Sequence, residues 1–167
     1  MQRLPAAASR DDVDAAMQAA QNAFAGWSAL SYEARAAQLK HIADSLNADA
    51  EETASRARLL TREHGKTLFE TNIEVTRLAD RFAQVAGFAA HIAAEDEISG
   101  AMFDTVVTRK SRGVSLLIVP WNWPLAILGS KLPHALLAGS TVVIKLSEFA
   151  TLAPALTIMK IAAMLPP

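Results

Sequence analysis

The chain has 167 residues, 51% of them apolar and 20% charged, with a formal net charge of -1. That length and composition suit one globular domain with its own core, and the near-neutral balance argues against a nucleic-acid or acidic-membrane partner. There is no cysteine, so disulfides, thiolate metal sites and a cysteine nucleophile are excluded within this chain.

The opening "MQRLPAAASRDD" lacks the apolar core of a secretory leader. No apolar run is long enough to span a bilayer, so a cytoplasmic protein with no membrane partner is expected. Apolar residues at Val13, Met17, Ala20, Phe24 and Trp27 follow a 3.6-residue period. They predict a helix capped by Ser9 or Asp11 and weakened near its end by Gly26. Ser31 should cap the next helix, with Leu39, Ile42, Leu46 and Ala50 on one face. Asn47 or Asp49 interrupts and recaps it. "EETASRARLL" then continues as helix until Gly65, which suits a left-handed C-terminal position. Residues 67–91 read as one long helix with an apolar stripe at Leu68, Val75, Leu78, Phe82, Val85 and Ala89. Glu70, Glu74, Arg77 and Arg81 fall mostly off that stripe and read as a solvated face. "AAEDEISG" reads as an acidic loop.

The period then changes. "MFDTVVTRKSRG" reads as an exposed ribbon strand, and "GVSLLIVP" as a strand buried on both faces. "PLAILGSKLPHALLAG" reads as one helix with Pro124 in its first turn. Pro133 should kink it by pressing on the carbonyl of Gly129. "TVVIKL" is a second buried strand. Thr151 should cap a last helix whose inner face is Leu152, Leu156, Met159 and Ala163. Strand, helix, strand, helix is the opening of a parallel α/β sheet. The expected fold class is therefore α/β. Helices occupy 1–100, an extended arm 101–112, and the first half of a Rossmann-like parallel sheet 113–167, stopping before a third strand.

In open parallel sheets, ligands bind beyond the carboxyl ends of the strands. Asn122 lies just past the first such end, inside "PWNWP". Its amide can donate to a developing oxyanion. The plainer use of Asn before Pro is to cap the helix at Pro124, and spacing alone favours the cap. Lys145 and Glu148 come off the second strand end. They can hold ribose hydroxyls, and a carboxylate there repels a 2′-phosphate. A solvated Lys/Glu pair is the commoner outcome of such a tetrapeptide. His41, His64, His91 and His134 show no metal-ligand spacing, so no metal site is expected and each reads as a surface or helix histidine. No Ser/His/Asp order or phosphate-cradling glycine loop is visible.

Taken together, "IVPWNWPLAILGSKLPHALLAGSTVVIKLSE", Ile118 to Glu148, strongly resembles the aldehyde dehydrogenase superfamily. The Pro-Trp-Asn-aromatic-Pro strand end, the helix lysine, the Ala-Gly-x-Thr-Val-Val strand and Lys-x-x-Glu occur in the family's order. "LLTREHGKTLFETNIEV", Leu59 to Val75, is similar to its Glu-x-Gly-Lys segment. The resemblance runs from about Asp11 to Pro167 and corresponds to the N-terminal part of a longer polypeptide.

The resemblance implies a role for each matching residue. Asn122 becomes the oxyanion-hole amide. Val119, Pro120 and Trp121 become the wall beside the nicotinamide ribose and diphosphate. Trp123 lines the aldehyde tunnel, with Ile127 facing it one turn on, and Lys131 lies near the catalytic centre. Lys145, Ser147 and Glu148 form the cofactor loop at the adenosine ribose. NAD is the implied cofactor, with NADP disfavoured by Glu148, and an aldehyde is the implied substrate. The strand from Met102 to Arg109 resembles the arm through which the full-length enzyme forms a homo-oligomer. Three residues depart from the pattern without touching implied contacts. Ser111 or Arg112 replaces a proline before Gly-Val, Leu146 replaces a common proline, and Ser140 replaces an asparagine.

The family's second glycine motif, general-base glutamate and cysteine nucleophile all lie beyond the position of Pro167. The implied function is the N-terminal, cofactor-binding portion of an NAD-dependent aldehyde dehydrogenase, inactive as an isolated chain. The alternative is a non-catalytic remnant that binds a dinucleotide weakly or associates with family subunits.

Overall fold

The computed structural model describes residues 7–166; residues 1–6, where the stretch read for a leader begins, and Pro167 lie outside them. The first three helices follow the sequence reading closely. Helix α1 (Arg10–Ala29) starts at a capping box between Ser9 and Asp12 and runs through Gly26. Helix α2 (Tyr32–Leu46) is capped by the Ser31 side chain, which accepts from the Ala34 amide. Helix α3 (Ala50–His64) recaps at Asp49 and ends on Gly65 at φ 83°, a conformation glycine adopts without a Cβ clash.

The long fourth helix is two helices, not one. Helix α4 (Leu68–Ala86) and α5 (Ala89–Ala93) are separated at Gly87. There the backbone tightens to three-residue hydrogen bonds, Gly87 to the Gln84 carbonyl and Phe88 to that of Val85. Glycine's poor helix propensity makes this the weak point of the segment. The expected acidic loop contains strand β1 (Asp96–Ser99), antiparallel to β2 (Asp104–Val107) with Asp96 opposite Val107. Both strands are exposed throughout. No apolar alternation therefore marked β1 as a strand.

Strand β3 (Val114–Ile118) pairs in parallel with β4 (Thr141–Lys145), Leu116 beside Val143. Between them the expected kinked helix is fully broken into α6 (Pro124–Gly129) and α7 (Leu132–Leu137). Pro133 has no N–H to bond the Gly129 carbonyl, and it sits instead in the first turn of α7, where that loss costs nothing. Helix α8 (Leu152–Ala162) completes the strand–helix–strand–helix order, as the α/β reading requires.

The core joins α2, α3, α4, α6 and α7 through Leu39, Ile42, Leu60, Leu78, Phe82, Leu125 and Leu137, none of which has accessible surface. Trp27 joins it, its indole N–H donating to the Leu136 carbonyl at 2.9 Å. Two faces differ from expectation. Strand β3 is buried on one face only, because Leu116 and Ile118 are 58% and 59% exposed while Leu117 points inward. The inner face of α8 is Ala153, Pro154, Thr157 and Ile161. Leu156 and Met159 point outward. Small residues at 153 and 157 let α8 lie close to the rest of the molecule, which turns the bulkier stripe away. No helix among the described residues is long and apolar enough to cross a membrane.

Candidate functional site

The two parallel strands end side by side. The Val119 amide donates to the Lys145 carbonyl at 3.0 Å, which carries the pairing one residue past β3. Val119 is buried and Pro120 half-buried, whereas Trp121, Asn122 and Trp123 are exposed at the turn into α6.

Asn122 is not the helix cap. The N-cap position of α6 is Trp123, and no side chain caps it from there. The amides of Leu125 and Ala126 instead donate to Oε1 of Glu74, at 2.7 and 3.3 Å. Glu74 lies in α4 with no accessible surface, which overturns its reading as part of a solvated face. A carboxylate is well placed there, since the start of a helix carries positive partial charge. Its other oxygen accepts from Lys66 Nζ at 2.7 Å. The same ammonium lies 3.7 Å from the centroid of the Trp123 ring, close enough for cation–π attraction. With the cap supplied by Glu74, the Asn122 amide is left exposed at the strand end.

The other indole is held from the same side. The His64 ring stacks on Trp121, with centroids 5.3 Å apart and planes 28° apart. His64 is therefore half-buried, unlike the exposed His41, His91 and His134. Lys131 lies in the break between α6 and α7, and its Nζ donates to the Ile118 carbonyl at 3.1 Å. The broken helix thus brings Lys131 to the end of β3. Ile127 is half-buried one turn after Trp123, and its amide donates to the Trp123 carbonyl.

Lys145, which ends β4, and Glu148 just past it are exposed and 3.6 Å apart. A hydrogen bond from its own backbone amide, aided by the charge of Lys145, holds the Glu148 carboxyl below the usual glutamate range. It is an ionised acceptor at neutral pH. Ser147 is buried; its hydroxyl accepts from the Phe149 amide and its carbonyl from the Thr151 hydroxyl. Its hydroxyl is thus engaged in shaping the loop. Thr151 does not cap α8 with its side chain, which is turned back to Ser147. Glu63 of α3 does so, accepting from the amides of Thr151, Leu152 and Ala153 at 2.6, 2.5 and 2.8 Å. Among the described residues, no three His, Asp or Glu side chains gather as a metal site.

The sequence pattern does not mark Glu63, His64, Lys66 or Glu74 as site residues. A signal existed for Glu74, which shares one helical face with Thr71, Leu78 and Phe82. For the other three, only the short "EHGK" run was visible, with nothing to say which loops it would meet.

The chain matches the model of the aldehyde dehydrogenase family over residues 3–167. It is 39% identical over 149 residues to the N-succinylglutamate 5-semialdehyde dehydrogenase of Burkholderia orbicola (strain MC0-3), covering 86% of this chain and 29% of that protein. It is 36% identical over 144 residues to the 2-aminomuconic semialdehyde dehydrogenase of Homo sapiens, covering 83% of this chain and 28% of that one. Among solved structures, a betaine aldehyde dehydrogenase variant from Staphylococcus aureus in complex with NAD+ superposes with a TM-score of 0.84 at 28% identity, over 93% of this chain and 32% of that one. PnpE in complex with nicotinamide adenine dinucleotide superposes with the same TM-score at 34% identity, over 94% and 32%. The chain spans less than a third of the length of these relatives. With the motif residues gathered at one sheet edge and the match running through nearly every residue, this chain belongs to the aldehyde dehydrogenase family.

Proposed function

We propose that this chain is the N-terminal, cofactor-binding portion of an NAD-dependent aldehyde dehydrogenase that oxidises an aldehyde to a carboxylic acid. The observation that carries this reading is the release of Asn122 from helix capping, because Glu74 holds the α6 amides. An exposed amide at the carboxyl end of a parallel strand is free to donate to an aldehyde oxygen as it gains charge. Trp123 and Ile127 form the wall on the aldehyde side, and Val119, Pro120 and Trp121 the wall on the dinucleotide side. Lys131 adds a fixed positive charge at the end of β3.

The residues present fit a dinucleotide. Glu148 is ionised and exposed beside Lys145, so the pair offers an acceptor and a donor to ribose hydroxyls. Ser147 keeps that loop in shape. The carboxylate repels a 2′-phosphate, which favours NAD over NADP. When bound, the dinucleotide supplies the hydride acceptor. The family reaction also requires a thiolate nucleophile, and this chain contains no cysteine. It therefore does not turn over an aldehyde by itself, and the nucleophile comes from another segment of a longer cytoplasmic enzyme. In that enzyme, α1 to α5 are the helical part of the cofactor domain, the β1–β2 hairpin is an arm toward a homo-oligomer, and the segment from β3 onward is the start of the sheet.

Calorimetric titration of the chain with NAD and NADP tests the reading. NAD should bind about two- to fivefold more tightly, the scale of one exposed charge contact, and Glu148→Gln should narrow the difference. Equal binding of the two dinucleotides counts against the NAD assignment. Aldehyde-dependent NADH formation by the chain alone refutes its dependence on an outside thiolate.

A further inference from the structure

Four successive residues, Glu63 and His64 at the end of α3 and Gly65 and Lys66 in the turn to α4, reach both loops at the carboxyl edge of the β3–β4 sheet. Glu63 binds three amides at the start of α8 and so fixes the loop after β4. Lys66 lies over Trp123 and pairs with Glu74, which holds the start of α6; it thereby fixes the turn after β3. His64 stacks on Trp121. Its two ring nitrogens are buried without a hydrogen-bond partner among the described residues, so stacking holds the ring. Gly65 turns the chain sharply between them, at φ 83°. Ordinary caps come from residues beside the helix they serve. Glu63 and Glu74 act instead across 88 and 51 residues.

We infer that Glu63–Lys66 is a positioning hub that sets the Asn122 turn in register with the Lys145–Glu148 loop. This rests on reading those two loops as the aldehyde and dinucleotide sides of one site. Glu63, His64 and Lys66 act through other groups: Glu63 through α8, His64 through Trp121, and Lys66 through Glu74 and Trp123. The hub has two separable arms. Glu63 serves the loop after β4, and Lys66 with Glu74 serves the turn after β3.

The test compares the 167-residue chain with Glu63→Gln, Lys66→Met and Lys66→Arg. Amide hydrogen exchange, the near-ultraviolet tryptophan signal and NAD titration are read on each. Glu63→Gln should speed exchange at Thr151–Ala153 by about tenfold, as loss of a helix cap does. It should weaken NAD binding and leave the amides of Leu125 and Ala126 protected. Lys66→Met should do the converse, exposing Leu125 and Ala126 and altering the tryptophan signal, with Thr151–Ala153 still protected. Lys66→Arg should restore the signal. Loosening of both amide sets together in either variant, or a response in neither, overturns the hub. If the unaltered chain fails to bind NAD, the dinucleotide reading fails, and the two exchange patterns still decide whether the tetrapeptide holds the loops separately.

Discussion

Gly139 is fixed by two independent constraints. Its φ is 86°, and a Cβ built there would lie 2.9 Å from Arg35 Nη1 and 3.3 Å from Ser111 Cβ. Arg35 cannot withdraw easily. It is buried, and its guanidinium donates to the carbonyls of Leu137, Leu30 and Ser28 at 2.9, 2.7 and 3.3 Å. Burial pulls its pKa below the ordinary arginine value, and the three carbonyls and the Tyr32 ring, 4.5 Å away, compensate the charge. Gly139→Ala should therefore lower stability by about 1–3 kcal/mol, the range for a strained non-glycine residue at positive φ. A shifted denaturation midpoint at unchanged slope is the expected result, and an unshifted midpoint contradicts it. Because Gly139 precedes β4 and not the site, NAD affinity should stay the same.

At the level of elements, α6 and α8 depend on glutamates from other helices. Both follow a parallel strand, and both carry a proline in or near the first turn. Proline presets the backbone but leaves later amides needing acceptors. Glu74 and Glu63 supply them from α4 and α3. The Glu74–Lys66 pair is almost wholly enclosed, with side chains 0% and 9% exposed. Removing one partner strands the other. Glu74→Ala should cost about 3–5 kcal/mol, as broken buried pairs do. The double variant Glu74→Ala with Lys66→Met should be less destabilised than the sum of the singles. Strict additivity in thermal melts would show that the pair contributes no coupling. This pairing also explains why a charged residue sits on the apolar stripe of α4.

For the whole molecule, the core is continuous, but three surfaces carry exposed apolar side chains. Leu116 and Ile118 line the outer face of β3, and Leu156 and Met159 the outer face of α8. The β1–β2 hairpin adds Ile98, Met102 and Phe103, all more than half exposed. Clustered apolar surface of this kind favours association. The chain should bind a hydrophobic dye such as ANS and self-associate with rising concentration in sedimentation. A monodisperse monomer that ignores the dye would contradict this. The helical core is expected to persist under the same conditions, because its largest residues are already fully covered.

Local chemistry determined much of this protein from the sequence alone. The cap at Ser31 and the left-handed Gly65 depend on neighbours within a few residues, and the caps at Ser9 and Asp49 were each legible as one of two candidates; the parallel order of β3 and β4 follows from the strand–helix–strand sequence between them. Around Asn122, Lys145 and Glu148 local chemistry favoured a helix cap and a solvated pair, and only the family resemblance implied a site there. The break at Ser130–Lys131 was legible only as a kink, since Pro133 signals a lost hydrogen bond but not how far the backbone will separate. Tertiary structure decided what no local pattern can carry. It took Asn122 out of the capping role by bringing Glu74 to α6 from 51 residues away. It gave α8 its cap from Glu63 and turned Leu156 and Met159 outward. A carboxylate reads as solvated until a distant helix start is placed against it, because amides that need an acceptor become visible only once the helices are packed.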